Sequence, residues 1–193
     1  MKQGNIHFCG VGGQGILLAS ELTAHALLAA GFDAKKSEVH GMAQRGGSVE
    51  AHLRFSTTQV YSPLIEPGTV DIMLAFEMME AVRYLPLLNK QSTVIVNTQK
   101  IAPPAVATGK MTYPDQCLEA LTSQGIAVVP VDAFAIARKV GNLKAVNVAL
   151  VGVLSRYLPM DEATWLEVIK KRLPPKILEV NLQAFQEGRK AGQ

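Results

Sequence analysis

A glycine-rich turn near the amino terminus constrains the fold more than any other feature of this chain. The short apolar run IHFC, residues 6–9, leads into GVGGQG, and an apolar segment then extends over residues 16–30 and closes at Gly31. The G-x-G-x-x-G spacing is formed by Gly10, Gly12 and Gly15. An apolar run, this spacing and a helical segment together predict a strand, a tight turn and a helix of the kind that opens a nucleotide-binding α/β fold.

The turn itself has two interpretations. Glycines permit positive φ and let a ligand approach the backbone closely, so the N–H groups around Gly12, Gly13, Gln14 and Gly15 can face an anion at the helix N-terminus. The same glycines also allow a first helix to pack tightly on a first strand without any ligand. The spacing alone does not decide between these interpretations.

The remainder of the chain alternates between strand and helix patterns. Residues 33–39 predict a second short strand, and residues 48–55 alternate polar and apolar side chains, which is typical of a strand with one wet face and favours an antiparallel neighbour. Buried strands are then predicted in VDIMLAFE, STVIVN and IAVVPV. Helices are predicted over residues 16–30, 78–88, 113–123, 133–140, 142–157 and 176–186, with a further one around Trp165.

This alternation predicts an α/β fold. We expect a Rossmann-like, doubly wound and mostly parallel sheet with one antiparallel strand and extra C-terminal helices, formed by a single domain over residues 1–193. The apolar segment 146–158 is expected to lie in the interior or in a contact with itself or another subunit.

Composition excludes several functions. The net charge of +3 is small and its lysines and arginines are dispersed, so we expect no nucleic acid partner. Cys9 and Cys117 are the only cysteines, too few for an iron–sulfur cluster or a cysteine-rich zinc site in this chain. No secretory leader and no membrane-spanning run is predicted, so a cytoplasmic protein is expected.

A second polar, glycine-containing loop follows the second predicted strand. In an open parallel sheet the loops that leave the carboxyl ends of the first and second strands lie on the same edge, so we expect this loop to converge with Gln14. Its candidate binding residues, with the acidic residue that precedes it, are Glu38, His40, Gly41, Met42, Gln44, Arg45, Gly46 and Gly47.

Individual side chains of this loop have alternative roles. Glu38 stands close to where dinucleotide folds place an acidic residue on the ribose. Arg45 suits a phosphate, but it can equally pair with Glu38 or Glu50, and His40 either exchanges a proton or caps a carbonyl.

The other histidines and acidic residues receive no functional role from the sequence. His7, His25 and His52 have no partner at metal-ligand spacing along the chain, so no metal site is predicted. Three carboxylates, Asp71, Glu77 and Glu80, are explained by their positions at the end of a strand and the start of a helix. No catalytic residue is assigned.

The two loops together, GVGGQGILLAS and KSEVHGMAQRGGSVEAHLRF, closely resemble the small subunit of indolepyruvate ferredoxin oxidoreductases, which is related to the gamma subunit of other 2-oxoacid:acceptor oxidoreductases. The similarity is strongest over residues 6–55. It continues more loosely through NTQKIAPP and NLKAVNVALVGVLSRYLP and so covers most of the chain.

The resemblance implies a CoA-dependent oxidative decarboxylation of an aryl 2-oxoacid such as indolepyruvate. Thiamine diphosphate, magnesium and iron–sulfur clusters would be carried by a large partner subunit, with ferredoxin as the electron acceptor. This chain has no thiamine-diphosphate signature, so it resembles the non-catalytic subunit that completes the active-site entrance or a CoA-binding surface. We therefore expect no cofactor on this chain alone and no activity from it in isolation.

Two other functions stay open at this point. The chain could be a self-sufficient Rossmann-like protein or reductase that binds NAD(P) or an adenine nucleotide, although the second loop argues against this. It could also be a purely structural assembly subunit, and a homodimer is a further possibility.

Overall fold

The computed structural model describes residues 1–40 and 46–192, with the backbone alone at His40. Six strands form one sheet: β1 (Gln3–Val11), β2 (Asp33–His40), β3 (Ser48–Ser56), β4 (Ile72–Ala75), β5 (Thr93–Asn97) and β6 (Ala127–Val131). The described helices are α1 (Ile16–Ala29), α2 (Met78–Arg83), α3 (Pro104–Ala107), α4 (Cys117–Thr122), α5 (Ala133–Lys139), α6 (Val146–Leu154), α7 (Glu162–Arg172) and α8 (Pro175–Ala191).

The sheet has the order β2-β3-β1-β4-β5-β6. Strands β1, β4, β5 and β6 pair in parallel, whereas β3 runs antiparallel to both of its neighbours, β1 and β2. This confirms the predicted α/β fold with a mostly parallel sheet and one antiparallel strand. In this order β3 lies between β1 and β2.

Helices cover both faces of the sheet. One face packs α1, α5, α6, α7 and α8 into the larger apolar cluster, which includes the fully buried Phe8, Leu53, Trp165 and Phe185. The other face packs α2 and α4 into a second cluster around Met73 and Val96. The two faces follow from the period of two in the strands, because Phe8 and Cys9 on β1 point to opposite clusters.

Helix boundaries differ from the predicted ones at prolines and small residues. The helix predicted over residues 78–88 ends at Arg83 and continues as a 3₁₀ turn over Leu85–Leu87, because Pro86 has no N–H to donate. The helix predicted to reach Tyr157 ends at Leu154, where the Ser155 hydroxyl donates to the carbonyl of Gly152. Helix α8 is longer than the predicted segment 176–186, and the one-turn helix α3 was not predicted.

Helices α6 and α8 touch backbone to backbone. Gly152 faces the carbonyl of Phe185, Gly188 faces that of Ala149, and a Cβ at either glycine would collide with the opposing carbonyl. Every residue of α6 is buried, so of the two placements predicted for this segment, interior or subunit contact, the structure shows the interior for Val146–Leu154. Even this most apolar helix is too short to cross a membrane, and no described helix has the length and hydropathy to do so.

Candidate functional site: two glycine loops at one sheet edge

The predicted glycine turn connects β1 to α1. Gly13 and Gly15 have φ values of 102° and 81°, a region that other residues rarely adopt. Gly10 is required for a different reason: a Cβ there would lie 2.7 Å from both Gln14 Oε1 and the Cβ of Phe76. The glycines are therefore needed for the turn geometry whether or not a ligand binds.

The second glycine loop lies directly on this turn. The N–H of Gly12 donates to the carbonyl of Gly47 over 2.8 Å, and the N–H of Gly46 approaches the carbonyl of Gly12 at 3.5 Å. This confirms that the two loops converge. Four of the predicted binding residues lie outside the described residues, namely Gly41, Met42, Gln44 and Arg45, and the side chain of His40 lies there too.

Several amides of the turn are available to an anion. In the part of the chain that the structure describes, the N–H groups of Gly13 and Gly15 have no acceptor, whereas those of Gly12 and Gln14 donate to carbonyls. Ile16 and Leu17 begin α1, so their N–H groups have no partner within the helix. Unpaired amides at the positive end of a fourteen-residue helix are suited to a phosphate or a carboxylate.

Gln14 holds the turn in place. Its side-chain oxygen accepts the N–H of Val11 over 2.7 Å, and its Nε2 donates to the carbonyl of Phe76 (2.9 Å) and to Gln99 Oε1 (3.0 Å). Both amide hydrogens are therefore engaged with the protein. In this arrangement Gln14 joins the ends of β1 and β4, and direct contact of its side chain with a ligand stays a prediction.

Asn147 is a site residue that the sequence reasoning missed. It lies on the buried helix α6 with 7% of its surface exposed, and its Nδ2 atom lies against Gly15, where any Cβ would collide with it. Its Oδ1 accepts the N–H of Val148, but its Nδ2 has no acceptor among residues 1–40 and 46–192. A lone asparagine in the apolar run AVNVALVGVL was the available signal.

Glu38 does not stand beside the glycine turn. In dinucleotide-binding folds the acidic strand is adjacent to the first strand, but here β3 separates β2 from β1. Glu38 also forms an ion pair with Lys36 on its own strand. Its proposed contact with a ribose stays a prediction that this strand order does not favour.

Of the three histidines without a predicted role, His7 and His52 lie close together in space. The β1–β3 register places His7 opposite His52, and Glu50 accepts from both rings, with its Oε2 2.9 Å from His7 Nε2 and 3.4 Å from His52 Nε2. These three ligand atoms lie within 4.8 Å of one another. The sequence could not show this group because its residues come from two strands.

The hydrogen bonds of this group oppose metal binding. The backbone N–H of Ile65 donates to His52 Nδ1 over 3.1 Å, so the ring proton of neutral His52 must be on Nε2, the atom a metal would need. That proton points to the carboxylate of Glu50 instead. Hydrogen bonds from His52 and His7 lower the pKa of Glu50 to about 2. Burial lowers the pKa of His7. The group is best described as an ionised glutamate between two imidazoles.

Comparison with known proteins agrees with this architecture. Residues 5–191 match the family described as pyruvate ferredoxin/flavodoxin oxidoreductase. Indolepyruvate oxidoreductase subunit IorB of Archaeoglobus fulgidus is 44% identical over 188 residues, covering 95% of this chain and 92% of the relative. The subunit of the same name from Thermococcus kodakarensis is 41% identical and is covered over 98% of its length, with 100% of this chain matched.

Solved structures show the same fold at low sequence identity. The gamma subunit of a keto/oxoacid ferredoxin oxidoreductase from Geobacter sulfurreducens superposes with a TM-score of 0.72 at 20% identity, over 98% of each chain. The 2-oxoglutarate:ferredoxin oxidoreductase of Magnetococcus marinus, solved with 2-oxoglutarate, coenzyme A and succinyl-CoA bound, gives 0.78 at 20% identity, with 100% of this chain matching 31% of that one. The resemblance noted in the two loop sequences is thus confirmed, and this chain belongs to the pyruvate ferredoxin/flavodoxin oxidoreductase family.

Proposed function

We propose that this chain is the small, non-catalytic subunit of a CoA-dependent 2-oxoacid ferredoxin oxidoreductase, with indolepyruvate or another aryl pyruvate as substrate. The identity of 44% to an indolepyruvate oxidoreductase subunit over nearly the whole chain supports the substrate class. Thiamine diphosphate, magnesium and the iron–sulfur clusters would be held by a large partner subunit that passes electrons to ferredoxin. This chain would bind none of these groups alone and would be inactive in isolation.

The observation that carries the proposal is the direct contact between the two glycine loops. The hydrogen bond from Gly12 to Gly47 joins them into one wall, and the amides of Gly13 and Gly15 remain without acceptors among the described residues. Such a wall fits the pyrophosphate of CoA or the rim of bound thiamine diphosphate. We infer that Arg45, within the second loop, supplies a cationic fork to the same anion.

Kinetics of the reconstituted complex test this function. Arg45→Ala should raise the KM for CoA roughly 10- to 150-fold, because a charge-assisted hydrogen bond contributes about 1.5–3 kcal/mol. Gly13→Val should also raise it, since a β-branched residue tolerates the φ of 102° poorly and would block approach to the amides. The KM for the 2-oxoacid should change much less.

Gly31→Val is the matched control for the glycine variant. Gly31 also has a positive φ, 85°, and open space where a Cβ would project, but it lies at the far end of α1. It should therefore lose similar stability without changing the KM for CoA. Normal assembly of Arg45→Ala and Gly13→Val with wild-type constants for both substrates would refute the proposal.

Calorimetry separates the proposed function from a self-sufficient nucleotide-binding protein. The purified chain should be colourless and should bind NAD(P)H only weakly. Tight NAD(P)H binding without any partner subunit, or a stoichiometric flavin absorbance, would favour the alternative.

A further inference from the structure

A separate cavity opens beside the second glycine loop, on the face of the sheet covered by α2. Its volume is about 360 Å³, within the range of about 300–1,000 Å³ that is common for small-molecule sites. Most of its wall is apolar and is formed by Val11, Met79, Ile101, Ala102, Pro103, Pro104 and Ala107. An apolar group fits such a wall better than a charged or strongly hydrated one.

The polar end of the cavity is built on a buried carboxylate. Glu80 is 2% exposed and accepts Arg83 Nε at 3.0 and 3.2 Å through its two oxygens. The hydroxyl of Ser48 donates to the same carboxylate, and the Tyr84 hydroxyl lies 3.0 Å from Ser48 Oγ. Glu80, Arg83 and Ser48 line the cavity, so this network fixes the position of the arginine at its edge.

Arg83 has unused donors. Its side chain is 51% exposed, and Nε is engaged by Glu80. Neither terminal nitrogen has an acceptor within residues 1–40 and 46–192, so four of the five N–H groups of the guanidinium remain available. A planar guanidinium with free terminal nitrogens matches the two oxygens of a carboxylate or a phosphate.

We propose that this cavity binds an organic anion with a flat apolar body, placing the ring system on the apolar wall and the anionic group on Arg83. Two molecules of the proposed reaction have this chemistry: the aryl 2-oxoacid, and the adenine end of CoA with its ribose phosphate. The choice of these two natural ligands rests on the proposed function, whereas the site itself rests on the cavity and on Arg83.

Calorimetric titration of the full chain tests the site without the partner subunit. One arm uses phenylpyruvate and indole-3-propionate, and the other uses adenosine 3′,5′-bisphosphate. Acetate and inorganic phosphate are anions without a ring and should bind much more weakly. At least one arm should give saturable binding at a stoichiometry of one.

Two variants locate the binding. Arg83→Gln should weaken it roughly 10- to 100-fold, because it removes a charge-assisted contact. Ala107→Trp should abolish it by filling the cavity from an exposed position at the end of α3. Arg138→Gln, at an exposed position on α5, removes the same charge elsewhere and should leave the affinity unchanged.

The two sets of titrations identify the ligand, and the absence of binding in both refutes the proposed site. Binding of the aryl acids alone assigns the cavity to the 2-oxoacid, and binding of the bisphosphate alone assigns it to CoA. The proposal is refuted if no ligand binds in either arm. It is also refuted if Arg83→Gln and Ala107→Trp bind the ligand as tightly as the wild-type chain does. Such a failure leaves the CoA kinetics of the glycine loops intact, so it is distinguishable from failure of the proposed function.

Discussion

Glu50→Gln tests whether the glutamate between His7 and His52 stabilises the fold as an ion. The pKa of Glu50 falls from an ordinary value of 4.5 to about 2 because both imidazoles hydrogen bond to the carboxylate. A difference of this size corresponds to at most about 3 kcal/mol of folding free energy. The Glu50 side chain is 20% exposed and solvent screens part of this, so we expect a loss of about 1–2 kcal/mol at pH 7.

The pH dependence of this loss follows from the direction of the pKa change. A carboxyl group whose pKa is lowered by folding stabilises the native state above its ordinary value of 4.5, and that contribution disappears as pH falls towards 2. The stability gap between wild type and Glu50→Gln should therefore be full at pH 7 and narrow below pH 4.5. His7, whose pKa is lowered by burial, adds a loss of stability in both proteins that begins as pH falls below 6.5.

Urea unfolding followed by far-UV circular dichroism at pH 7, 5, 4 and 3 measures this gap. Glu66→Gln is the control, because Glu66 is exposed and the same charge is removed. A Glu50→Gln protein as stable as wild type at pH 7 would refute the reasoning. A gap that stays constant down to pH 3 would show that the loss comes from packing and not from the ionised carboxylate.

Two further predictions concern close backbone approach. Gly152→Ala should destabilise the chain by at least about 2 kcal/mol in urea unfolding, because its Cβ would meet the carbonyl of Phe185 in the α6–α8 contact, and unchanged stability would contradict that contact. Gly15→Ala should cost more stability than Gly13→Ala, since both have a positive φ but only Gly15 faces Asn147; equal losses would show that Asn147 moves aside freely.

Local patterns predicted the framework of the fold well. The apolar run before GVGGQG and the alternation over residues 48–55 gave β1, α1 and the antiparallel β3, because each depends on the period of its own segment. Helix ends were less predictable, since α2 stops ahead of Pro86 and α6 stops where the Ser155 hydroxyl bonds back to Gly152. The start of α5, by contrast, falls at the predicted residue 133, where the carboxylate of Asp132 caps the helix by accepting the N–H of Ala135.

The interactions around the candidate site depend on strand register and could not be predicted in the same way. His7 and His52 are 45 positions apart and meet only because β1 and β3 pair with a particular register. Glu80 likewise reaches Ser48 only because α2 packs over the sheet beside β3. Asn147 is intermediate, since its polarity within an apolar helix was visible while its partner, Gly15, was not.

Strand order explains why this glycine turn is expected to bind a different ligand from the one that the same spacing binds in a dinucleotide fold. In such a fold the strand next to β1 would bring an acidic residue to the ribose. In this chain β3 occupies that position, and it places Gly46 and Gly47 against Gly12 where the acidic residue would stand. The turn therefore meets the backbone of the second loop, whose Gly47 carbonyl accepts the N–H of Gly12. Because the amides of Gly13 and Gly15 have no acceptor among the described residues, the turn suits the phosphates of the proposed CoA better than a pair of ribose hydroxyls.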